Sequence, residues 1–112
     1  MGVIISLDRD GQFQRLYKKG KSAITPSLVM YVRKNGQDIN RLGITASKKI
    51  GKAVVRNRAK RRIRELYRTN LKSLKCGYDF VIVARAKTAV EPYSKLLSAF
   101  LQAAEELGVL NE

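Results

Sequence analysis

The chain has 112 residues, 45% of them hydrophobic, which suits one domain with a real core and argues against two domains or a disordered basic tail. Lys and Arg number 23 against 9 Asp and Glu, a formal net charge of +14 that strains a compact fold unless a polyanion is the usual partner, nucleic acid first and an anionic membrane surface second. With no histidine and a single cysteine, His-based acid–base or nucleophile systems and an intrachain disulfide are excluded, and a reducing, cytoplasmic setting is expected.

In chain order, Met1 to Ser6 is too short an apolar stretch for a signal peptide and has no basic segment before it. No run approaches the roughly 18 apolar residues of a membrane span. Met1-Gly2 with Ser6 fits the outline of a myristoylation motif, a pattern too short to carry weight by itself. Asp10 is the expected N-cap of a short helix, with Phe13, Leu16 and Tyr17 at helical spacing and Gly20 as its stop. Leu28 to Arg33 reads as a strand behind Pro26. Asn35-Gly36 lies in a polar turn before a second strand, Leu42 to Ala46, and the two strands are expected to pair as an antiparallel hairpin. A basic stretch from Lys48 runs into a helix from about Val54 to Leu71. Asp79 to Ala84, nearly continuous in apolar residues, reads as a central strand. Pro92 suits the first turn of a last helix, whose stripe is Leu96, Leu97, Phe100, Leu101, Ala104 and Leu107, ended by Gly108. The order α-β-β-α-β-α predicts an α+β fold, a mixed two-layer sandwich with a small sheet, as one domain over residues 1–112.

The charge is concentrated between Lys48 and Arg68, where ten cations are opposed by Glu65 alone. On a helix, Val55, Ala59, Ile63 and Leu66 share one face, while Asn57, Lys60, Arg61, Arg64 and Arg68 fall together on the other. The helix therefore docks by its apolar stripe and presents a ladder of cations, mostly Arg, whose guanidinium forks match phosphate oxygens. Arg56, Lys60, Arg64 and Arg68 stand four apart, a like-charge spacing that destabilises an unpartnered helix. Ser47-Lys48-Lys49-Ile50-Gly51-Lys52 adds three lysines and a glycine where backbone can approach a phosphate. These features predict contact with nucleic acid without separating DNA from RNA.

The run from Leu42 to Arg68, with Arg56-Asn57-Arg58, Lys60-Arg61 and Ile63-Arg64-Glu65 inside it, closely resembles the signature of the bacterial ribonuclease P protein component. Weaker agreement extends through Phe13-Gln14-Arg15-Leu16-Tyr17, Gly20, the Tyr31 strand and Asp79 to Arg85. The resemblance implies a small subunit bound to a catalytic RNA that carries the active site and uses magnesium. That assembly removes the leader of precursor tRNA to give the mature five-prime end, the protein having no catalytic residues, no metal of its own and no obligatory protein partner. It also implies a left-handed βαβ crossover, against the general right-handed rule. Carried over, Arg56, Asn57, Arg58, Lys60, Arg61, Arg64 and Arg68 face the catalytic RNA, with Lys48, Lys49 and Lys52 in the same region. Phe13, Tyr17 and Tyr31 match the aromatic positions of the leader cleft, where unpaired bases stack without regard to sequence. Without the resemblance, Phe13 and Tyr17 read as core residues beneath the first helix.

The chain departs from the family at its start, where Gly2 to Leu7 is largely apolar in place of a longer basic segment. Asp8 and Asp10 suit a helix cap and dipole complement, and two carboxylates are few for a hard cation. Three rivals are weighed against this reading. A ribosomal protein or RNA chaperone shares the electrostatics but not the run from Leu42 to Arg68. A stand-alone metal-dependent nuclease needs clustered carboxylates, whereas Asp38, Glu65, Asp79, Glu91, Glu105 and Glu106 are scattered. A polybasic membrane module needs apolar residues free to enter lipid, but Val55, Ala59 and Ile63 are needed for the core. Cys76, between Lys75 and Gly77, is read as a bystander thiol.

Overall fold

The hydrophobic pattern and the element order agree in the computed structural model, which describes residues 5–7 and 10–111, except that one strand is added. Helix α1 spans Asp10–Lys19, and strands β1, β2 and β3 span Lys21–Ile24, Leu28–Lys34 and Arg41–Thr45. Helix α2 spans Ala53–Thr69, strand β4 Tyr78–Ala84 and helix α3 Tyr93–Glu106, with short 3-10 turns at Lys48–Ile50, Leu71–Ser73 and Ala86–Ala89. Asp10 is the first residue of α1 and not its N-cap, and its carboxylate lies in the first turn, where it complements the helix dipole. Asp8, and with it the pairing of Asp8 and Asp10, lies outside the described residues, as does the opening stretch Met1 to Ile4.

The strands of Leu28 and Leu42 do not form the expected hairpin. The sheet order is β1-β2-β4-β3, so β4 lies between them, antiparallel to β2 and parallel to β3. The reason is sidedness. In β4, Phe80 and Ile82 point to one face and Val81 to the other, and all three are fully buried, which only a central place in the sheet provides. With β3 and β4 parallel neighbours, α2 becomes the crossover of a βαβ unit. The hairpin partner of β2 is β1, an edge strand in which only Ala23 is buried, so its apolar pattern is too sparse to announce it. Thr25 closes this hairpin: its Oγ1 donates to the Leu28 carbonyl at 2.7 Å and accepts from the amides of Ser27 and Leu28.

Helices α2 and α3 pack on one sheet face, where Ile63, Leu66, Tyr67, Leu96 and Phe100 meet Met30, Val32, Phe80 and Ile82. This is the sandwich the patterning predicts. Helix α1 covers part of the other face, with Leu16 on Val81 and with Leu7, Phe13, Tyr17 and Tyr31 around them. Gly43 makes that cover possible. A Cβ at Gly43 would stand 2.6 Å from the Phe13 ring and 3.3 Å from Leu7, so the absent side chain is the seat of Phe13. Strand propensity favours Gly43→Val, but the packing predicts a loss of about 1–3 kcal/mol from overpacking. A urea titration checks the sign, with the midpoint falling and the slope unchanged.

Tyr67 is fully buried and meets Phe80 edge-on, with ring centroids 5.7 Å apart. Its hydroxyl has no hydrogen-bond partner among the described residues. Burial, with Asp79 second, pushes the hydroxyl well above the usual tyrosine range, as expected where an anion would find no water. Removing an unpaired buried polar group relieves its desolvation penalty, so Tyr67→Phe is expected to stabilise the chain by about 1 kcal/mol. Thermal unfolding of the two forms reads that gain directly.

Candidate nucleic-acid interface

Helix α2 forms because Ala59, Ile63 and Leu66 recur at helical spacing and are all buried against the sheet. It stops at Asn70, whose Nδ2 donates to the Leu66 carbonyl at 2.8 Å while Thr69 Oγ1 donates to the Glu65 carbonyl at 2.8 Å. Its start is built differently. Lys52 occupies the N-cap position with no side-chain capping bond, and the first turn holds no acid. The exposed Lys48, Lys49 and Lys52 thus stand next to the positive end of the helix dipole, an arrangement that repels itself and complements a phosphate.

Along the helix, Asn57, Arg58, Arg61, Arg64 and Arg68 are exposed, and Arg56 and Lys60 are half-buried on the flank toward the core. Only two ion pairs form among the described residues, Arg41–Asp79 and Arg68–Glu65, each at 2.7 Å. Arg56, Arg58, Lys60, Arg61 and Arg64 therefore carry unneutralised charge. Arg56 also has a buried Nε without a hydrogen-bond partner among the described residues. Arg68 differs from its neighbours: the hydrogen bond and charge of Glu65 hold its guanidinium more firmly protonated, in an exposed pair that an incoming phosphate can displace. Arg62 turns inward and belongs to the fold. Its guanidinium donates to the Thr88 carbonyl at 2.9 Å and to the Glu91 carbonyl, and so ties α2 to the turn before α3.

Phe13, Tyr17 and Tyr31 come together on the sheet face opposite α2 and α3. Tyr17 and Tyr31 meet edge to face at 5.0 Å, and the Tyr17 hydroxyl is hydrogen-bonded to Thr45 Oγ1 at 3.0 Å. Both rings are half-buried, with Val83 packed beside them, and Phe13 lies over Gly43. The core role and the surface role of these aromatics are thus combined: each packs against the Leu7, Leu16 and Val81 cluster while the residue stays partly open to solvent. Nothing in the spacing or chemistry of Thr45 and Val83 marks them in the sequence. Strand parity identifies them once α1 is known to cover the Val81 face, since Thr45 and Val83 are paired and two residues beyond Gly43 and Val81.

Strand β3 joins the two regions. It passes beneath Phe13 at Gly43, reaches Tyr17 at Thr45, and runs directly into the segment that carries Lys48, Lys49 and Lys52 to the start of α2. Among the described residues no helix is long and apolar enough to cross a membrane.

A mixed four-stranded sheet, with a largely unneutralised cationic crossover helix and a half-open aromatic face, defines a small basic α+β protein built around its surface charge. Comparison with known proteins places that class more narrowly. The family model described as Ribonuclease P matches residues 4–108. The ribonuclease P protein component of Clostridium botulinum is 44% identical over 104 residues, covering 92% of this chain and 94% of the relative. That of Lachnoclostridium phytofermentans is 50% identical over 100 residues, covering 89% and 86%. Among solved structures, the Staphylococcus aureus RNase P protein superposes with a TM-score of 0.84 at 31% identity, covering 97% of this chain and 100% of that one. The Thermotoga maritima RNase P protein gives a TM-score of 0.75 at 36% identity, covering 84% and 87%. The chain belongs to the bacterial ribonuclease P protein family, which works with the ribonuclease P RNA in an endoribonuclease complex.

Proposed function

We propose that this subunit binds the catalytic RNA of ribonuclease P through α2 and holds the five-prime leader of precursor tRNA on its aromatic face, acting in the cytoplasm. The observation that carries the reading is the continuity of two surfaces, a cationic helix whose one counter-charge is Glu65 on Arg68 and a half-open aromatic cluster, joined by β3 at Thr45. In this reading Arg56, Asn57, Arg58, Lys60, Arg61, Arg64 and Arg68 meet RNA phosphates, with Lys48, Lys49 and Lys52 extending the contact past the helix start. Tyr17 and Tyr31 offer ring surface to unpaired leader bases, and Phe13 holds α1 on the sheet so that Tyr17 stays in place. Bond cleavage is assigned to the RNA with its magnesium. The protein contributes by neutralising phosphates and by adding contacts to substrate that mature tRNA lacks.

The test is cleavage of a precursor tRNA by a bacterial ribonuclease P RNA at low magnesium, with and without the protein. Restored, accurate cleavage by the mixture, with none by the protein alone, is the expected outcome. Cleavage by the protein alone would overturn the accessory role. RNA binding without any stimulation of the ribozyme would favour a general RNA-binding protein instead.

A further inference from the structure

The geometry points to a second phosphate-binding surface, at the end of the sheet away from Thr45, where Lys19, Lys21, Arg33, Lys34 and Lys75 gather around Tyr78 to take RNA backbone phosphates. It is built from four parts of the chain. Helix α1 ends at Lys19, and Gly20 then turns the chain so closely that a Cβ there would stand 2.6 Å from the Leu16 carbonyl oxygen and 2.8 Å from that of Val32. The tight turn delivers Lys19 and Lys21 together to the end of β2. Lys21 lies opposite Val32 and Lys34 opposite Tyr78, so Lys21 and Lys34 share one face, with Arg33 between them in sequence on the other.

A pocket of about 210 Å³ opens among Lys19, Lys21, Arg33 and Lys34, over Tyr78 and Leu107. A second hollow adjoins it and shares Lys34 and Tyr78, adding Lys75 on its far side. No Asp or Glu lines either one. Two carboxylates adjoin lining residues in sequence and neither lines a hollow: Asp38, after Gln37, is exposed, and Asp79, after Tyr78, is buried and bound by Arg41 at 2.7 Å and by Asn35 at 3.0 Å. None of the five cations is in an ion pair among the described residues. A solvated helix end accounts for Lys18 and Lys19, which complement the α1 dipole, but not for Lys21, Arg33, Lys34 and Lys75 converging from other elements. Such convergence of like charge destabilises the free protein and favours association with a polyanion. Two adjoining hollows over one half-buried tyrosine suit successive phosphates of a strand, with the ring available to a base, better than they suit a lone anion. The track ends where Glu105 joins Lys75 in lining the next depression.

The choice of RNA rests on the ribonuclease P reading, whereas the surface itself does not. The test compares the wild-type chain with a Lys21→Gln, Lys34→Gln double variant, both sites being exposed and free of ion pairs. Affinity for a bacterial ribonuclease P RNA, and of that complex for precursor tRNA, is followed from 50 to 200 mM salt. Loss of two phosphate contacts is expected to reduce the log–log salt slope by about 1.4–1.8 for one of the two RNAs, and the RNA that shows it is the ligand. A folded double variant with the wild-type slope for both RNAs overturns the proposal. So does a titration in which inorganic phosphate shifts the Lys21, Lys34 and Tyr78 amides while both RNA slopes stay unchanged, the mark of a small-ion site. If the wild-type chain fails to bind ribonuclease P RNA at all, the functional reading falls and the surface is judged by NMR with a short single-stranded RNA. Shifts at Lys21, Lys34 and Tyr78 then uphold it, and shifts confined to the segment from Lys48 to Arg68 overturn it.

Discussion

Raising salt from 50 to 200 mM is expected to weaken binding of this protein to a bacterial ribonuclease P RNA about a thousandfold. The figure follows from counterion release, which lowers log K by about 0.9 per neutralised phosphate for each unit of log salt, taken over about six contacts. Arg56, Arg58, Lys60, Arg61 and Arg64 lack counter-charges, and the lysines at Lys48, Lys49 and Lys52 supply the remainder. Arg61→Gln should lower the slope by about one contact. Arg62→Gln provides the contrast. Its guanidinium is engaged by the Thr88 and Glu91 carbonyls, so its loss should cost stability while the salt slope stays near wild type. Filter binding or fluorescence titration across the salt series decides the matter, and a nearly flat response would refute phosphate anchoring by α2.

Tyr31→Ala is expected to weaken binding of leader-bearing precursor tRNA to the assembled complex by about 1–3 kcal/mol, the range for one stacked base, and to leave mature tRNA binding unchanged. Because Tyr31 also supports Tyr17 at 5.0 Å and packs on the Leu16–Val81 cluster, the alanine loses some stability as well. Tyr31→Phe keeps the ring and should keep precursor affinity, while Tyr31→Leu keeps apolar bulk without an aromatic face and should lose it. An equal loss for precursor and mature tRNA would sink the leader assignment.

Much of the site was legible in the sequence because its residues sit on one helix. The spacing of Ala59, Ile63 and Leu66 sets which side of α2 is buried, and the cations on the opposite side follow from the helical period alone. The same holds for β4, whose apolar residues at both parities mark it as central, and for Gly20, read as a helix stop and found at the turn between α1 and β1. The cationic helix and the core strands are thus sequence-determined, since local periodicity records directly which face of an element loses water. Tertiary structure alone decided the insertion of β4 between β2 and β3, the recruitment of the polar edge strand β1, the inward turn of Arg62 and the seating of Phe13 on Gly43. It also decided the gathering of Lys19, Lys21, Arg33, Lys34 and Lys75 at one end of the sheet. Each of these joins residues far apart in the chain, and a residue's own chemistry and spacing carry no record of the partner that competition for burial brings to its side.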